Sequence, residues 1–175
     1  MKVLNIHERK VTTVPETVGA LIDSLSGTGD QLWPRDQWPP MEFDAPLGKG
    51  AQGGHGPVRY TVYEYVPGER VVFRFDNSGL IAGFDGRHLF EIVPRREHVL
   101  LRHVIDAECD FKHWLKWHVL VGPLHDALLE DSLDLAEQSL NIQTGKRARW
   151  SPWVRFLRWM MARRRRKSEG DQSIT

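Results

Sequence analysis

Histidines are the side chains in this sequence best suited to carry chemistry. Eight are present, and four of them fall where apolar residues recur. His88 and His103 share the apolar phase of two strand-like segments, and His118 and His125 share that of a long helical segment. Since imidazole titrates near pH ~6.5, four imidazoles lining one space could hold the polar part of a ligand or move a proton. The alternative is that the four histidines are structural residues of the core or its rim, each hydrogen-bonded to the backbone or to a carboxylate.

Other chemistries are less well supported by the spacing. Metal ligands on one face of a helix are typically three or four residues apart, whereas His113, His118 and His125 are separated by five and seven residues. The single cysteine, Cys109, completes no zinc signature, and the flanking Glu108 and Asp110 suppress its thiolate. We therefore predict no metal ion, no cofactor and no nucleophilic centre.

The elements that must position the histidines follow from periodicity. Residues 2–12 predict a strand, and "PETVGALIDSL" predicts a helix. A Pro- and Trp-rich link comes next, followed by about five strand segments between 50 and 108, joined by short turns that favour antiparallel pairing. A long helix then begins after Asp110, which can cap it, and Pro123 should bend it near Gly122.

The hairpin around the Pro67–Gly68 turn has one dry face. Val71, Phe73 and Phe75 alternate with more polar positions in "RVVFRF". This alternation requires only an apolar partner, so it is compatible with a packed core and with a pocket. The order of elements predicts an α+β fold in which a curved antiparallel sheet wraps around the long C-terminal helix.

The arrangement resembles the START/Bet v 1-like (SRPBCC) superfamily, in particular its polyketide cyclase/dehydrase-like branch of bacterial proteins. The resemblance rests on "VTTVPETVGAL", "YVPGERVVFRF", "GRHLFEIVP" and "PLHDALLEDSLDLAEQSL", and it covers about residues 2–142. It implies a helix-grip fold with a cavity between the long helix and the sheet. The residues expected to line that cavity are Tyr60, Phe73, Phe75, His88, Phe90, His103, Trp114, His118, Val121, His125 and Leu128.

The resemblance implies binding of a small hydrophobic ligand, either a lipid or a polyketide-like molecule. The alternative is a cyclase/dehydratase-type enzyme, in which His88, His103 or Tyr60 would move protons in the same cavity. A third interpretation is an interaction module without a cavity. The fold alone does not choose among them.

Charge divides the chain into two parts. Residues 1–142 hold 14 Lys/Arg and 21 Asp/Glu, whereas residues 143–175 hold ten Lys/Arg and two Asp/Glu. We predict a ligand-binding domain over 1–142 and a basic tail over 143–175. We predict a cytoplasmic protein from three observations. The sequence has a single cysteine, its N-terminus becomes charged too early for a signal peptide, and it contains no long apolar run.

The tail combines apolar and basic residues in the pattern of an interfacial helix. Such a helix would attach the protein peripherally to the anionic inner membrane surface. Docking on the same chain or in a homodimer remains an alternative, and nucleic acid is not expected because no base-reading motif is present. The predicted membrane-contacting residues are Trp153, Phe156, Leu157, Met160, Arg163, Arg164, Arg165 and Arg166.

Overall fold

The fold is built on one seven-stranded antiparallel sheet, whose strands, numbered in chain order, lie side by side as β1-β7-β6-β5-β4-β3-β2. The computed structural model describes residues 1–142 and 147–172, with side chains through Arg163. The strands are β1 Lys2–Val11, β2 Met41–Phe43, β3 Gln52–His55, β4 Val58–Val66, β5 Arg70–Phe75, β6 Phe84–Pro94 and β7 Val99–Cys109. The helices are α1 Pro15–Asp23, a 3-10 turn Gly79–Ile81, α2 Phe111–Lys116, a π-helical turn Trp117–Val121, α3 Gly122–Ser139 and α4 Pro152–Gln172.

Alternation along the strands creates the buried face of the sheet. In β7 every second residue from Val99 to Ala107 is buried, and the residues between them are partly exposed. The β4–β5 hairpin turns at Pro67–Gly68, where Gly68 takes a φ of 74° that favours glycine. The predicted α+β helix-grip arrangement is therefore confirmed.

The long helix is built from three segments. The carboxylate of Asp110 accepts a hydrogen bond from the backbone N–H of His113 at 2.9 Å, as the sequence predicts. Between α2 and α3 the backbone widens into the π-helical turn, and the N–H of Gly122 donates to the carbonyl of Trp117. In place of the predicted bend at Gly122, the helix has a turn with one extra residue. This extra residue rotates the side chains of α2 about the helix axis relative to those of α3.

A ladder of polar side chains fastens α3 to β1. Arg9 on β1 donates to Glu130 and Asp134, at 3.0 Å in each case, and also to Glu137. These carboxylates lie on successive turns of α3, so one guanidinium bridges several of them. The ladder fixes the distance between helix and strand at one edge of the grip.

The C-terminal helix α4 packs back on the protein. Val154 and Leu157 are buried in the main core, and Arg158 lies over the rings of Trp38 and Trp150 at 4.2 and 4.0 Å. The indole N–H groups of both tryptophans donate to one carboxylate oxygen of Asp131, at 2.7 and 2.8 Å. The predicted division at residue 142 stays a prediction.

A further hydrogen bond joins α4 to the long helix. Pro123 has no N–H to offer the carbonyl of Val119, and the indole N–H of Trp153 donates to that carbonyl at 2.8 Å. The described part of the chain contains no helix whose length and apolar character would let it span a bilayer.

Candidate functional site

An apolar pocket lies between the long helix and the concave face of the sheet. Its volume is about 100 Å³. The helix contributes Trp117, Val121, Leu124, His125, Leu128 and Leu129, and the sheet contributes Phe75, His88, His103 and Ile105. Two further strand residues, His55 at the end of β3 and Val58 at the start of β4, also line the pocket. Residues of the connecting segments and one residue of α4 complete the wall: Trp33, Trp38, Pro39, Pro57, Leu80, Ile81 and Met161.

Two histidines in the sheet wall are hydrogen-bonded to each other. Nδ1 of His88 and Nε2 of His103 are 3.3 Å apart, so one ring donates and the other accepts. The other nitrogens, Nε2 of His88 and Nδ1 of His103, are buried and have no hydrogen-bond partner among the described residues. Burial lowers the pKa of both rings well below the usual value, and neighbouring histidines lower it further, so both are neutral at physiological pH.

Aromatic rings hold this pair in place. The rings of Phe73 and Phe75 stack against His88 at 4.8 and 5.0 Å, and Tyr60 meets it edge-on at 4.7 Å. The hydroxyl of Tyr60 is also buried without a partner among the described residues, and burial raises its pKa well above 10. The site therefore offers fixed, neutral hydrogen-bonding groups in an apolar setting.

The structure places six of the eleven predicted cavity residues in the pocket wall. Tyr60, Phe73 and Phe90 are fully buried and support the wall from the core instead of lining the pocket. The six lining residues are Phe75, His88, His103, Val121, His125 and Leu128.

The expectation that Trp114 and His118 face the pocket is wrong. His118 is exposed, and its Nδ1 bonds the carbonyl of Trp114 at 2.8 Å. The π-helical turn inserts an additional residue, so Trp117 takes the inward position that uninterrupted α-helical spacing assigns to His118. Three of the four predicted histidines therefore face the pocket.

Sequence reasoning missed a fourth pocket histidine, His55. It lies in "AQGGHGP", which reads as a flexible glycine-rich segment, but Gly54 and Gly56 close a tight β3–β4 turn with φ values of 152° and 50°. His55 packs on Trp33 at 4.7 Å, and burial lowers its pKa to about 3. The available signal was a histidine beside a Gly-Pro turn, which does not by itself indicate burial.

Helix α4 contributes to the boundary of the pocket. Met161 contributes to the wall, and Leu157 is buried against the protein, so the prediction that Leu157 contacts a membrane is wrong for the docked helix. Met160 is partly buried, whereas Trp153 and Phe156 are exposed as the prediction requires. Of the predicted basic contacts only Arg163 has a described side chain. Arg164, Arg165 and Arg166 lie outside the described side chains.

A second, more open cleft lies between the link and the segment before α4. It measures about 660 Å³, and its lining includes several charged side chains, among them Arg35, Asp36, Arg147 and Arg149. Ligand sites are usually concave and mostly apolar, and the smaller pocket has that character. The pocket under the long helix is therefore the candidate site.

No protein-family model matches the chain, and no curated protein matches it. Solved structures do match. Norcoclaurine synthase from Thalictrum flavum is similar over 82% of this chain and 88% of its own, with a TM-score of 0.61 and 12% identity. CalU16 from Micromonospora echinospora is similar over 90% of this chain and 89% of its own, with a TM-score of 0.53 and 12% identity. DynU16, from the dynemicin biosynthetic locus, is similar over 84% of this chain and 49% of its own, with a TM-score of 0.54 and 18% identity.

The sheet, the long helix and the pocket between them define a helix-grip protein of the α+β class. More particularly, the chain has the fold of the START/Bet v 1-like superfamily, as the sequence motifs predict. At identities of 12–18% these likenesses concern the fold, and the function has to be argued from the pocket itself.

Proposed function

We propose that the protein binds a small, neutral, mostly apolar molecule in the pocket under the long helix. One observation carries the proposal: His88 and His103 line an apolar pocket, and each keeps a buried ring nitrogen without a partner among the described residues. An unpaired buried polar atom is costly, so a ligand hydroxyl or carbonyl that bonds it stabilises the complex. The apolar wall contributes the remaining binding energy.

The volume of the pocket restricts the ligand. About 100 Å³ is of the same order as the ~150 Å³ cavity that binds benzene, and it is below the ~300–1,000 Å³ of drug-sized sites. A single aromatic ring with a hydroxyl or carbonyl fits this space. The lipid or polyketide-like chain predicted from the sequence would need the pocket to extend past Met161, which requires displacement of α4.

A solved relative supports a ring-sized ligand. Norcoclaurine synthase from Thalictrum flavum has been solved in complex with dopamine and hydroxybenzaldehyde, both single-ring molecules, and its fold matches this chain with a TM-score of 0.57. Transfer of that ligand class to this chain is part of the proposal.

Titration with 4-hydroxybenzaldehyde tests the proposal. We expect the full-length protein to bind one molecule, and His88→Leu to weaken binding about tenfold, the value of one hydrogen bond of roughly 1.4 kcal/mol. His118→Leu is the matched control, because His118 is exposed on the long helix and should leave the affinity unchanged. Isothermal titration calorimetry measures both. Equal affinities of wild type and His88→Leu would show that the pocket histidines do not hold the ligand.

The same pocket supports the second candidate, a cyclase/dehydratase-type enzyme. The hydrogen bond between His88 and His103 favours it, because linked imidazoles can pass a proton to a bound ketone or enolate. A His103→Ala variant that still binds the probe but fails to turn over a poly-ketone substrate would favour the enzyme. Wild-type protein that binds the probe but does not turn over the poly-ketone substrate would favour a ligand-binding protein without catalysis.

We also propose that the outer face of α4 binds an anionic membrane surface. A docked helix usually presents polar residues to water, but here Phe156 and Trp159 are 45% and 52% exposed, whereas Arg158 is turned toward the protein. The rings of Trp153, Phe156 and Trp159 stack in a row, with centroids 5.5 and 6.0 Å apart. This aromatic row requires a partner that covers apolar surface.

Charge and continuity favour lipid as that partner. The hydrogen bond from Trp153 joins the aromatic row to Val119, and three exposed apolar residues at helical spacing, Phe111, Leu115 and Val119, extend the apolar surface along the long helix. The tail carries ten Lys/Arg against two Asp/Glu, including the run from Arg163 to Lys167. Each basic residue near an anionic bilayer contributes on the order of 1 kcal/mol.

Vesicle flotation tests the membrane proposal. We expect the full-length protein to float with phosphatidylserine-containing vesicles at low salt but not with pure phosphatidylcholine vesicles, and Phe156→Glu/Trp159→Glu to reduce recovery at least tenfold. Leu4→Glu/Ile6→Glu is the control, because this pair on β1 is exposed to a similar degree, at 57% and 50%. Equal loss in both double variants would contradict the proposal. Self-association abolished by Phe156→Glu/Trp159→Glu, without flotation, would assign the face to a homodimer.

A further inference from the structure

A compact group of metal-ligating side chains lies where β1 faces α3. His7, His125 and Asp126 each offer one ligand atom, and these atoms all lie within 4.8 Å of one another. The group shares no side chain with the His88–His103 pair, although the ring of His125 lies 5.0 Å from that of His103 and also contributes to the pocket wall. Two imidazoles and a carboxylate form a donor set that suits first-row divalent ions.

The spacing of the atoms is compatible with a shared ion. Metal bonds of about 2.0–2.2 Å place two ligands of one ion roughly 3.0–3.5 Å apart. Nε2 of His7 is 3.1 Å from Oδ1 of Asp126, within that range, and Nδ1 of His125 is 3.9 Å from the same oxygen. A small side-chain rotation of His125 would bring all three atoms to one ion.

Two buried polar atoms beside the group have no partner among the described residues. They are Nδ1 of His125 and the amide oxygen of Asn5. The amide nitrogen of Asn5 donates to Oδ1 of Asp126 at 2.9 Å, so Asn5 supports the carboxylate from one side. A buried nitrogen without a hydrogen bond costs free energy, and coordination to a cation removes that cost.

A second carboxylate orients the first histidine. Nδ1 of His7 lies 2.9 Å from Oε1 of Glu130, one turn along α3 from Asp126. Metal-binding histidines generally donate their other ring nitrogen to a carboxylate in this way, which fixes the tautomer. A metal ion would then take the place of the hydrogen bond that Nε2 of His7 makes to Asp126. Glu130 itself is held by Arg9 at 3.0 Å.

We propose that His7, His125 and Asp126 bind a divalent transition-metal ion such as Zn²⁺, with Glu130 as the residue that positions His7. The bound ion links β1 to α3 and fixes His125 on the pocket wall. The helical spacing of the histidines predicts no such site, because His7 lies far from His125 in the sequence and reaches it only through the fold. This proposal does not depend on the identity of the pocket ligand.

Metal titration of chelator-treated full-length protein tests the site. We expect one Zn²⁺ per chain by calorimetry and visible absorption bands when Co²⁺ is used in its place. His125→Gln is the decisive variant, because Nδ1 of His125 makes no hydrogen bond to the described residues and the hydrogen bonds of His7 go to Glu130 and Asp126 instead. We expect at least a 100-fold loss of Zn²⁺ affinity for His125→Gln, and a loss of about 10–100-fold for Glu130→Gln.

His118→Gln is the matched control, since it removes an exposed histidine from the same helix and should bind Zn²⁺ as the wild type does. Unchanged Zn²⁺ affinity in His125→Gln would overturn the proposal. Absence of 1:1 Zn²⁺ binding by the wild type would also overturn it and leave His7 as an ion-pair partner of two carboxylates. Binding of 4-hydroxybenzaldehyde to the metal-free protein separates the two proposals, because it reports on the pocket alone.

Discussion

Replacement of Val121 by tryptophan is expected to abolish binding of 4-hydroxybenzaldehyde. Val121 lies in the π-helical turn and lines the pocket, and an indole at this position would occupy most of the available 100 Å³. We expect at least a 100-fold loss of affinity, because the ligand and the new ring compete for one space. An overpacked core costs about 1–3 kcal/mol, so the free energy of unfolding should be measured alongside.

Val119→Trp is the matched control for this variant. Val119 lies two residues earlier in the same turn and is exposed, so the same indole there does not enter the pocket. Calorimetric titration should give the wild-type affinity for Val119→Trp and no measurable binding for a folded Val121→Trp protein. Binding of the probe by both variants with equal affinity would place the ligand site elsewhere in the protein.

Arg9→Met is expected to cause a large loss of stability. Arg9 interacts with three carboxylates of α3, and the side chains of Asp134 and Glu137 are only 8% and 10% exposed. Without the guanidinium these charges stay close together and poorly solvated. Loss of one partner from such a buried group typically costs about 3–5 kcal/mol of unfolding free energy. Urea denaturation monitored by tryptophan fluorescence measures the change.

Lys2→Met is the control on the same strand. Lys2 pairs with Asp106 at 3.3 Å, but these side chains are 61% and 43% exposed, so the loss should stay within about 1 kcal/mol. Arg9→Met combined with Glu137→Gln should recover part of the stability, because it removes one of the uncompensated charges. Similar midpoints for Arg9→Met and Lys2→Met would mean that water already solvates the carboxylates of the ladder.

The fold was largely predictable because its signals are local. The alternation in "RVVFRF" and "VLLRHVIDAE" places residues on one face of a strand whatever the strand pairs with. The turn at Pro67–Gly68 and the cap at Asp110 depend on residues within a few positions of each other. Together with the order of the elements, these features were sufficient to predict an antiparallel sheet gripping one long helix.

The site was only partly predictable because it depends on phase and on distant contacts. Because the turn at Trp117–Val121 contains one extra residue, Trp117 lines the pocket where regular α-helical spacing would place His118. An analysis that assumes uniform helical periodicity does not reveal this extra residue. The inward position of His55 depends on a turn closed by glycines. Both features are local departures from regular geometry, one in a helix and one in a hairpin. They nevertheless decide which side chains line the pocket.

The sequence alone established a basic, aromatic C-terminal helix and a set of histidines on apolar phases, because composition and periodicity are properties of short segments. It did not establish that Arg158 faces inward between two tryptophans while Phe156 and Trp159 face outward, or that His7 meets His125 and Asp126. Those pairings join residues far apart in the chain. They arise only when the sheet curves and the helices pack against it, because packing selects one rotation of each helix among several that local periodicity allows.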